Sequence, residues 1–126
     1  MGHVFELAKW YHIRYYMIVE ILEYLTIDGH SPYRDWFDEL DARAAVKVTV
    51  ALTRVGLGNL SNAKGVGTGV LEYRIDYGPG YRIYFGRDGE RLVILLGGGT
   101  KKRQQADIVA AHERWSDYKA RKKEVR

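Results

Sequence analysis

Cysteine is absent from this 126-residue chain, and proline and histidine are scarce, with two and four copies. Without cysteine, the chain has no disulfide framework, thiolate-bound zinc, iron–sulfur cluster or thiol nucleophile. The four histidines are scattered, which argues against a metal site built from histidine alone. We therefore expect no metal and no cofactor.

Long hydrophobic runs are also missing. The longest, Leu92–Leu96, is much shorter than the roughly 18–20 residues that cross a bilayer. Glu6, Lys9 and Arg14 fall where a signal peptide would keep its apolar block. The composition is 46% hydrophobic and 29% charged, which is typical of one folded domain. We expect a cytoplasmic protein with no membrane partner.

Positive charge is concentrated in the second half of the chain. Residues 1–60 carry six Lys and Arg against eight Asp and Glu, whereas residues 61–126 carry fourteen against eight. This asymmetry favours a polyanionic partner, most simply a nucleic acid. The alternative is a solvated basic tail, because five of these cations lie between Lys119 and Arg126.

Hydrophobic periodicity and turn signals predict one α+β domain with the element order β-α-α-β-β-β-α. One helix begins at Ser31-Pro32, and a second spans Ala42–Val55 with Gly56 as its cap. Consecutive hairpins predict a small, mainly antiparallel sheet in a two-layer arrangement with the helices. The predicted strands are Met17–Leu25, Val70–Ile75, Tyr81–Phe85 and Leu92–Leu96; Gly56–Gly69 is a loop, Gly97–Gly99 breaks the last strand, and the final helix runs from Gln104 past Tyr118.

Strand alternation predicts a polar sheet face. If the apolar residues of the first hairpin face the helices, its other face presents Glu72, Arg74, Arg82 and Tyr84 together. Arginine can clamp a phosphate through two hydrogen bonds, and tyrosine can stack on an unpaired base. The alternative is an outward face on which Glu72 simply pairs with an arginine across the strands.

Further cations are placed to extend this face. Lys101, Lys102 and Arg103 follow the triple glycine near the start of the last helix, where free backbone amides attract anions. Lys64, the one cation in the glycine-rich loop, would close the same basic site. That loop lacks the Lys-Ser/Thr ending of a phosphate-binding loop, so we do not expect nucleotide binding there.

Two segments, LEYRIDYGPGYRIYF (71–85) and LVILLGGGTKKRQQADI (92–108), resemble the RelE/ParE superfamily of toxin–antitoxin toxins. The most similar branch is the HigB-like, phage-derived addiction module killer group. The resemblance covers residues 17–118. It leaves residues 1–16 as an N-terminal extension, from an upstream start or from cloning, and residues 119–126 as a basic C-terminal tail.

The resemblance implies a RelE-like two-layer fold and a cytoplasmic toxin whose partner is a cognate helix-turn-helix antitoxin. RelE- and HigB-type members are endoribonucleases that cut mRNA in the ribosomal A site without a metal. The mRNA 2′-hydroxyl attacks the adjacent phosphate and leaves a cyclic phosphate. Two alternatives remain open: a ParE-type toxin that binds DNA gyrase, and an inactive relative that only binds its antitoxin.

The resemblance also implies residue roles. Arg82 corresponds to the family's phosphate-binding arginine, and Arg74 with Lys101 or Lys102 would stabilise charge. Glu72 or a lysine with a lowered pKa would be the general base. RNA contacts are expected from Lys64, Tyr81, Tyr84 and Arg103. The tyrosine that RelE-type toxins carry in the final helix is absent here, where the chain reads Gln105-Ala106-Asp107, so the RelE mechanism does not transfer in detail.

Overall fold

The structure is a computed structural model that describes residues 19–125, with side chains described as far as Glu124. The predicted extension at residues 1–16, and the first two residues of the predicted strand Met17–Leu25, lie outside the described residues. Within the described part, that strand is shorter than predicted and spans Glu20–Glu23.

A five-stranded sheet forms the centre of the fold, and its strands lie side by side in the order β1-β5-β4-β3-β2. Only the β1–β5 pair is parallel, so the sheet is mainly antiparallel, as predicted. The elements in chain order are β1 (Glu20–Glu23), α1 (Pro32–Asp38), α2 (Ala42–Gly56), β2 (Ala63–Gly65), β3 (Val70–Ile75), β4 (Tyr81–Arg87), β5 (Leu92–Thr100), a 3₁₀ turn (Lys101–Arg103) and α3 (Gln104–Val125). The α+β class is confirmed. The predicted order lacked β2, which lies inside the predicted loop.

The first two helices begin at capping residues. The Ser31 hydroxyl accepts a hydrogen bond from the Arg34 amide, and Pro32 opens α1, as predicted. The Asp41 carboxylate accepts from the Ala44 amide at the start of α2. Helix α2 includes Gly56, and Leu57 occupies the capping position that was predicted for the glycine.

Helices cover both faces of the sheet. Helices α1 and α2 pack on one face, where Val48 and Val55 meet Tyr73 and Ile83. Helix α3 packs on the other face, where Trp115 and its apolar neighbours meet the opposite sides of β3, β4 and β5. The predicted two-layer arrangement is therefore wrong, and the domain has three layers. The physical reason is that β5 is apolar on both sides, so each side needs a helix to exclude water.

The triple glycine does not break β5, which continues to Thr100. A Cβ atom at Gly98 would overlap the Trp36 ring on one face, and a Cβ atom at Gly99 would overlap the Asp107 carboxylate on the other. Glycine is needed here because side chains of α1 and α3 approach the β5 backbone closely. The predicted break at Gly97–Gly99 is corrected accordingly.

The C-terminal basic segment is part of α3 rather than a separate tail. The Arg121 guanidinium donates to the Leu25 carbonyl, and the Lys122 ammonium lies 2.6 Å from an Asp88 oxygen. Tyr118 also donates to Asp88, at 2.7 Å. Residues 119–125 therefore belong to the folded domain. None of the helices in the described part of the chain is long and apolar enough to span a bilayer.

Candidate active site

A row of three polar side chains crosses the sheet on the face that packs against α3. Lys64 on β2 is the direct neighbour of Glu72 on β3, and Glu72 is the direct neighbour of Tyr84 on β4. Lys64 is exposed, whereas Glu72 and Tyr84 are fully buried. This row places a buried carboxylate between a surface cation and a phenol.

The Glu72 carboxylate is held from three sides. Its Oε2 atom accepts hydrogen bonds from the Tyr84 hydroxyl at 3.1 Å and from the Gln104 amide at 2.8 Å. Its Oε1 atom has no hydrogen-bond partner and lies 3.6 Å from Arg82 Nε and 3.9 Å from Lys64 Nζ. Because Arg82 and Lys64 flank this oxygen, the Glu72 charge holds these two cations near each other on the sheet.

Tyr84 is a buried hydrogen-bond donor. Burial, together with the neighbouring Glu72 charge, raises the pKa of the Tyr84 hydroxyl well above its ordinary value, so it stays protonated. Its ring is fully covered and offers no face to an RNA base. The predicted stacking role of Tyr84 is therefore corrected to support of Glu72.

A second row, parallel to the first, contains the two arginines. Arg74 on β3 and Arg82 on β4 are direct cross-strand neighbours, and Gly99 on β5 continues the row. The predicted common face of Glu72, Arg74, Arg82 and Tyr84 is confirmed. Arg74 is exposed, but Arg82 is only 3% exposed. The face is thus largely covered by α3 and open at the edge where Arg74 lies.

The turn between β3 and β4 brings Lys101 to Arg82. The Gly80 carbonyl accepts from the Lys101 backbone amide at 2.9 Å and from Arg82 Nη1 at 3.2 Å. Gly80 has φ +77°, a conformation that favours glycine. Lys102 and Arg103 complete the 3₁₀ turn, and all three predicted cations are exposed.

Tyr81 does not join this site. Its side chain lies on the opposite face of the sheet, in the core with α1 and α2, and its ring packs near those of Trp36 and Tyr77. It is 9% exposed. The predicted RNA contact by Tyr81 is therefore corrected to a packing role.

Two residues of α3, Gln104 and Asp107, complete the cluster and were not among the predicted site residues. Asp107 packs over Gly99, and its Oδ2 atom is buried without a hydrogen-bond partner. Burial raises the pKa of the Asp107 carboxyl, although Arg103 and Arg114 act in the opposite direction. Gln104 and Asp107 are three residues apart, which places both side chains on one face of α3. Only the structure shows that this face meets the two side-chain rows of the sheet.

The cluster therefore combines positive charge with one buried carboxylate, Glu72, and one half-buried carboxyl group, Asp107. Lys64 and Arg82 lie within 4 Å of Glu72, Arg74 is the cross-strand neighbour of Arg82, and Arg103 and Arg114 act on Asp107. Lys101 and Lys102 lie in the exposed turn that precedes α3. Such a site suits a phosphodiester, whose oxygens the cations can bind while a carboxyl group moves a proton. Among residues 19–124, no three His, Asp or Glu side chains are grouped to hold a metal ion.

Comparison with models of protein families shows which family this chain belongs to. The family model described as "Phage derived protein Gp49-like (DUF891)" matches residues 35–116, which is well over half of the chain. The chain belongs to this Gp49-like family. The matched region runs from α1 into α3 and contains both side-chain rows and the 3₁₀ turn.

The chain is also similar to a protein from Haemophilus influenzae. This protein, whose name is "Uncharacterized protein", is 38% identical over 96 residues. The aligned region covers 75% of this chain and 91% of the relative. The aligned region therefore accounts for nearly all of the relative.

Proposed function

We propose that this Gp49-like protein is the toxin of a type II toxin–antitoxin module, related to the RelE/ParE superfamily and its HigB-like branch. The observation that carries the proposal is the cross-strand pair Arg74 and Arg82, joined at the β3–β4 turn by Lys101. The backbones of β3, β4 and the start of the 3₁₀ turn meet there, so that Lys101 lies beside the two arginines. The proposed activity is cleavage of mRNA. The assay includes ribosomes because the RelE- and HigB-type toxins that the sequence resembles cut mRNA in the ribosomal A site.

The proposed reaction is an internal transfer at one phosphodiester. The 2′-oxygen loses its proton and forms a bond to phosphorus, the bond from phosphorus to the 5′-oxygen breaks, and that oxygen gains a proton. The products are a 2′,3′-cyclic phosphate and a 5′-hydroxyl. Negative charge grows on the phosphoryl oxygens in the transition state, and this is the charge that positioned cations stabilise.

The residues divide into three roles in this scheme. Arg74 and Lys101, which are exposed, would contact the phosphate directly, and Arg82 would supply charge from just beneath the surface. Glu72 is a positioning residue, since one of its oxygens accepts two hydrogen bonds and the other faces Arg82. Lys102 and Arg103 would bind the flanking backbone.

Asp107 is the proposed proton donor to the leaving 5′-oxygen. Its carboxyl lies on the arginine face, has one buried oxygen without a partner, and holds its proton to a higher pH than an ordinary aspartate because burial raises its pKa. Because Glu72 is fully buried and holds Arg82, an exposed lysine of the cluster is the proposed general base.

Analysis of RNA ends tests the proposal. Purified protein is incubated with translating ribosomes and a 5′-labelled mRNA, and the new ends are identified chemically. We expect 2′,3′-cyclic phosphate and 5′-hydroxyl ends with the wild-type chain and a strong loss with Arg74→Ala. Intact mRNA, together with gyrase-dependent DNA breaks in cells, would instead support a ParE-type toxin.

A further inference from the structure

A groove lies between α2 and the edge of the sheet formed by β2 and β3. Its volume is about 670 Å³. One wall is α2, and the other contains Ala63, Tyr73 and Ile75. Polar groups on both rims leave an open cleft with an apolar floor.

Helix α2 presents an apolar stripe beside this groove. Val46, Val50 and Leu57 are all among the large hydrophobic residues that remain exposed, Val46 at 61%. Val46 and Val50 line the groove, and Leu57, the capping residue of α2, continues the same side of the helix beyond it. Exposed apolar side chains arranged in this way are typical of a surface that binds another helix.

The charges around the stripe are mostly positive. Helix α2 carries Arg43, Lys47 and Arg54 and contains no acidic residue. On the opposite rim lie Lys64 and Arg74, and Asp76 is the only acidic residue that lines the groove within the described part of the chain. The matching ligand is therefore acidic on its rim and apolar at its centre.

We propose that this groove binds an acidic, amphipathic helical segment of a protein partner. The stripe from Val46 to Leu57 is about 16 Å long, which corresponds to roughly three turns of a partner helix. A polynucleotide would match the cations but would leave Val46 and Val50 without apolar contacts. The protein helix satisfies both features.

Occupation of the groove would also inhibit the proposed active site. Lys64 and Arg74 line the groove, and each also belongs to one of the two side-chain rows of the proposed active site. A bound acidic helix would neutralise and cover both cations. This part of the inference rests on the proposed function and names the antitoxin as the donor of the helix.

The probe is the product of the gene adjacent to the one that encodes this chain, where the proposed function expects the antitoxin. Binding is measured by calorimetry for a Val46→Asp/Val50→Asp variant and for Arg54→Glu. The matched controls are Val109→Asp, another half-exposed valine on a helix, and Lys123→Glu, an exposed lysine on α3. Circular dichroism establishes that each variant is folded.

We expect the two groove variants to bind the antitoxin at least tenfold more weakly and the two controls to bind within twofold of wild type. All four variants should arrest growth when expressed alone. Unchanged antitoxin binding by the groove variants overturns the groove assignment and leaves the toxin function standing. Loss of RNA cleavage with unchanged antitoxin binding also overturns it, in favour of an RNA surface. Failure of the wild-type chain both to arrest growth and to bind the antitoxin would contradict the proposed function itself.

Discussion

Arg82 Nε lies 3.6 Å from Glu72 Oε1, and both side chains are buried between the sheet and α3. Neither atom has a hydrogen-bond partner. A buried ion pair of this kind contributes little net stability when intact, but removal of one member leaves an uncompensated charge. The pair therefore fixes positive charge beside the proposed phosphate site and makes both residues sensitive to substitution.

Arg82→Ala is expected to destabilise the domain as well as to lower activity. The expected loss is about 3 kcal/mol, because Glu72 would keep its charge in a buried site with one cation fewer. Adding Glu72→Gln to this variant should recover part of the loss. Urea denaturation of the three proteins checks this, and a double variant no more stable than Arg82→Ala would contradict it.

Arg74→Ala separates catalysis from folding, since Arg74 is exposed. We expect its free energy of unfolding to stay within about 0.5 kcal/mol of wild type. RNA cleavage should fall by about a hundredfold, the loss typical of one charge-stabilising donor. Arg43→Ala, an exposed arginine on α2 outside the cluster, is the control and should cleave normally. Equal effects of the two substitutions would show that only overall charge matters.

Gly99→Ala should destabilise the fold because the new methyl group would overlap the Asp107 carboxylate. The expected cost is about 1–3 kcal/mol, the range for overpacking a core. Gly65→Ala on the edge strand β2 is the control, since a methyl group there would have no atom within 4 Å. Thermal unfolding distinguishes the two, and similar melting temperatures would contradict the close approach of α3 to β5.

Asp107→Asn is expected to change how stability depends on pH. Burial raises the folded-state pKa of Asp107 above its unfolded value, so its stabilising contribution is present at low pH. That contribution is lost as pH rises from about 3.9 through the folded pKa. The free energy of unfolding of Asp107→Asn minus that of wild type should therefore be larger at pH 7.5 than at pH 4. Urea denaturation at both values measures this, and a difference independent of pH would contradict the assignment.

The geometry of the β3–β4 hairpin was predictable because it depends on neighbouring residues in the sequence. The bounds of Val70–Ile75 and the common face of Arg74 and Arg82 follow from period-two alternation and from the turn at residues 76–80. The Ser31-Pro32 helix start is local in the same sense. These features need no knowledge of what packs on the sheet.

The rest depended on packing between distant segments. Gly97–Gly99 looks like a strand break until Trp36 and Asp107 are seen against it. The placement of α3 over the arginine face buries Tyr84 and adds Asp107 to the cluster. An apolar stripe on α3 is visible in the sequence, but the sheet face that it covers is not.

Mapping of mRNA 5′ ends in cells tests the central claim most directly. The wild-type chain and Arg74→Ala are each expressed briefly, and primer extension locates new ends in several transcripts. We predict cleavage within translated regions for the wild-type chain and little or none for Arg74→Ala at the same protein level. Growth arrest by the wild-type chain without any new mRNA ends would contradict the account.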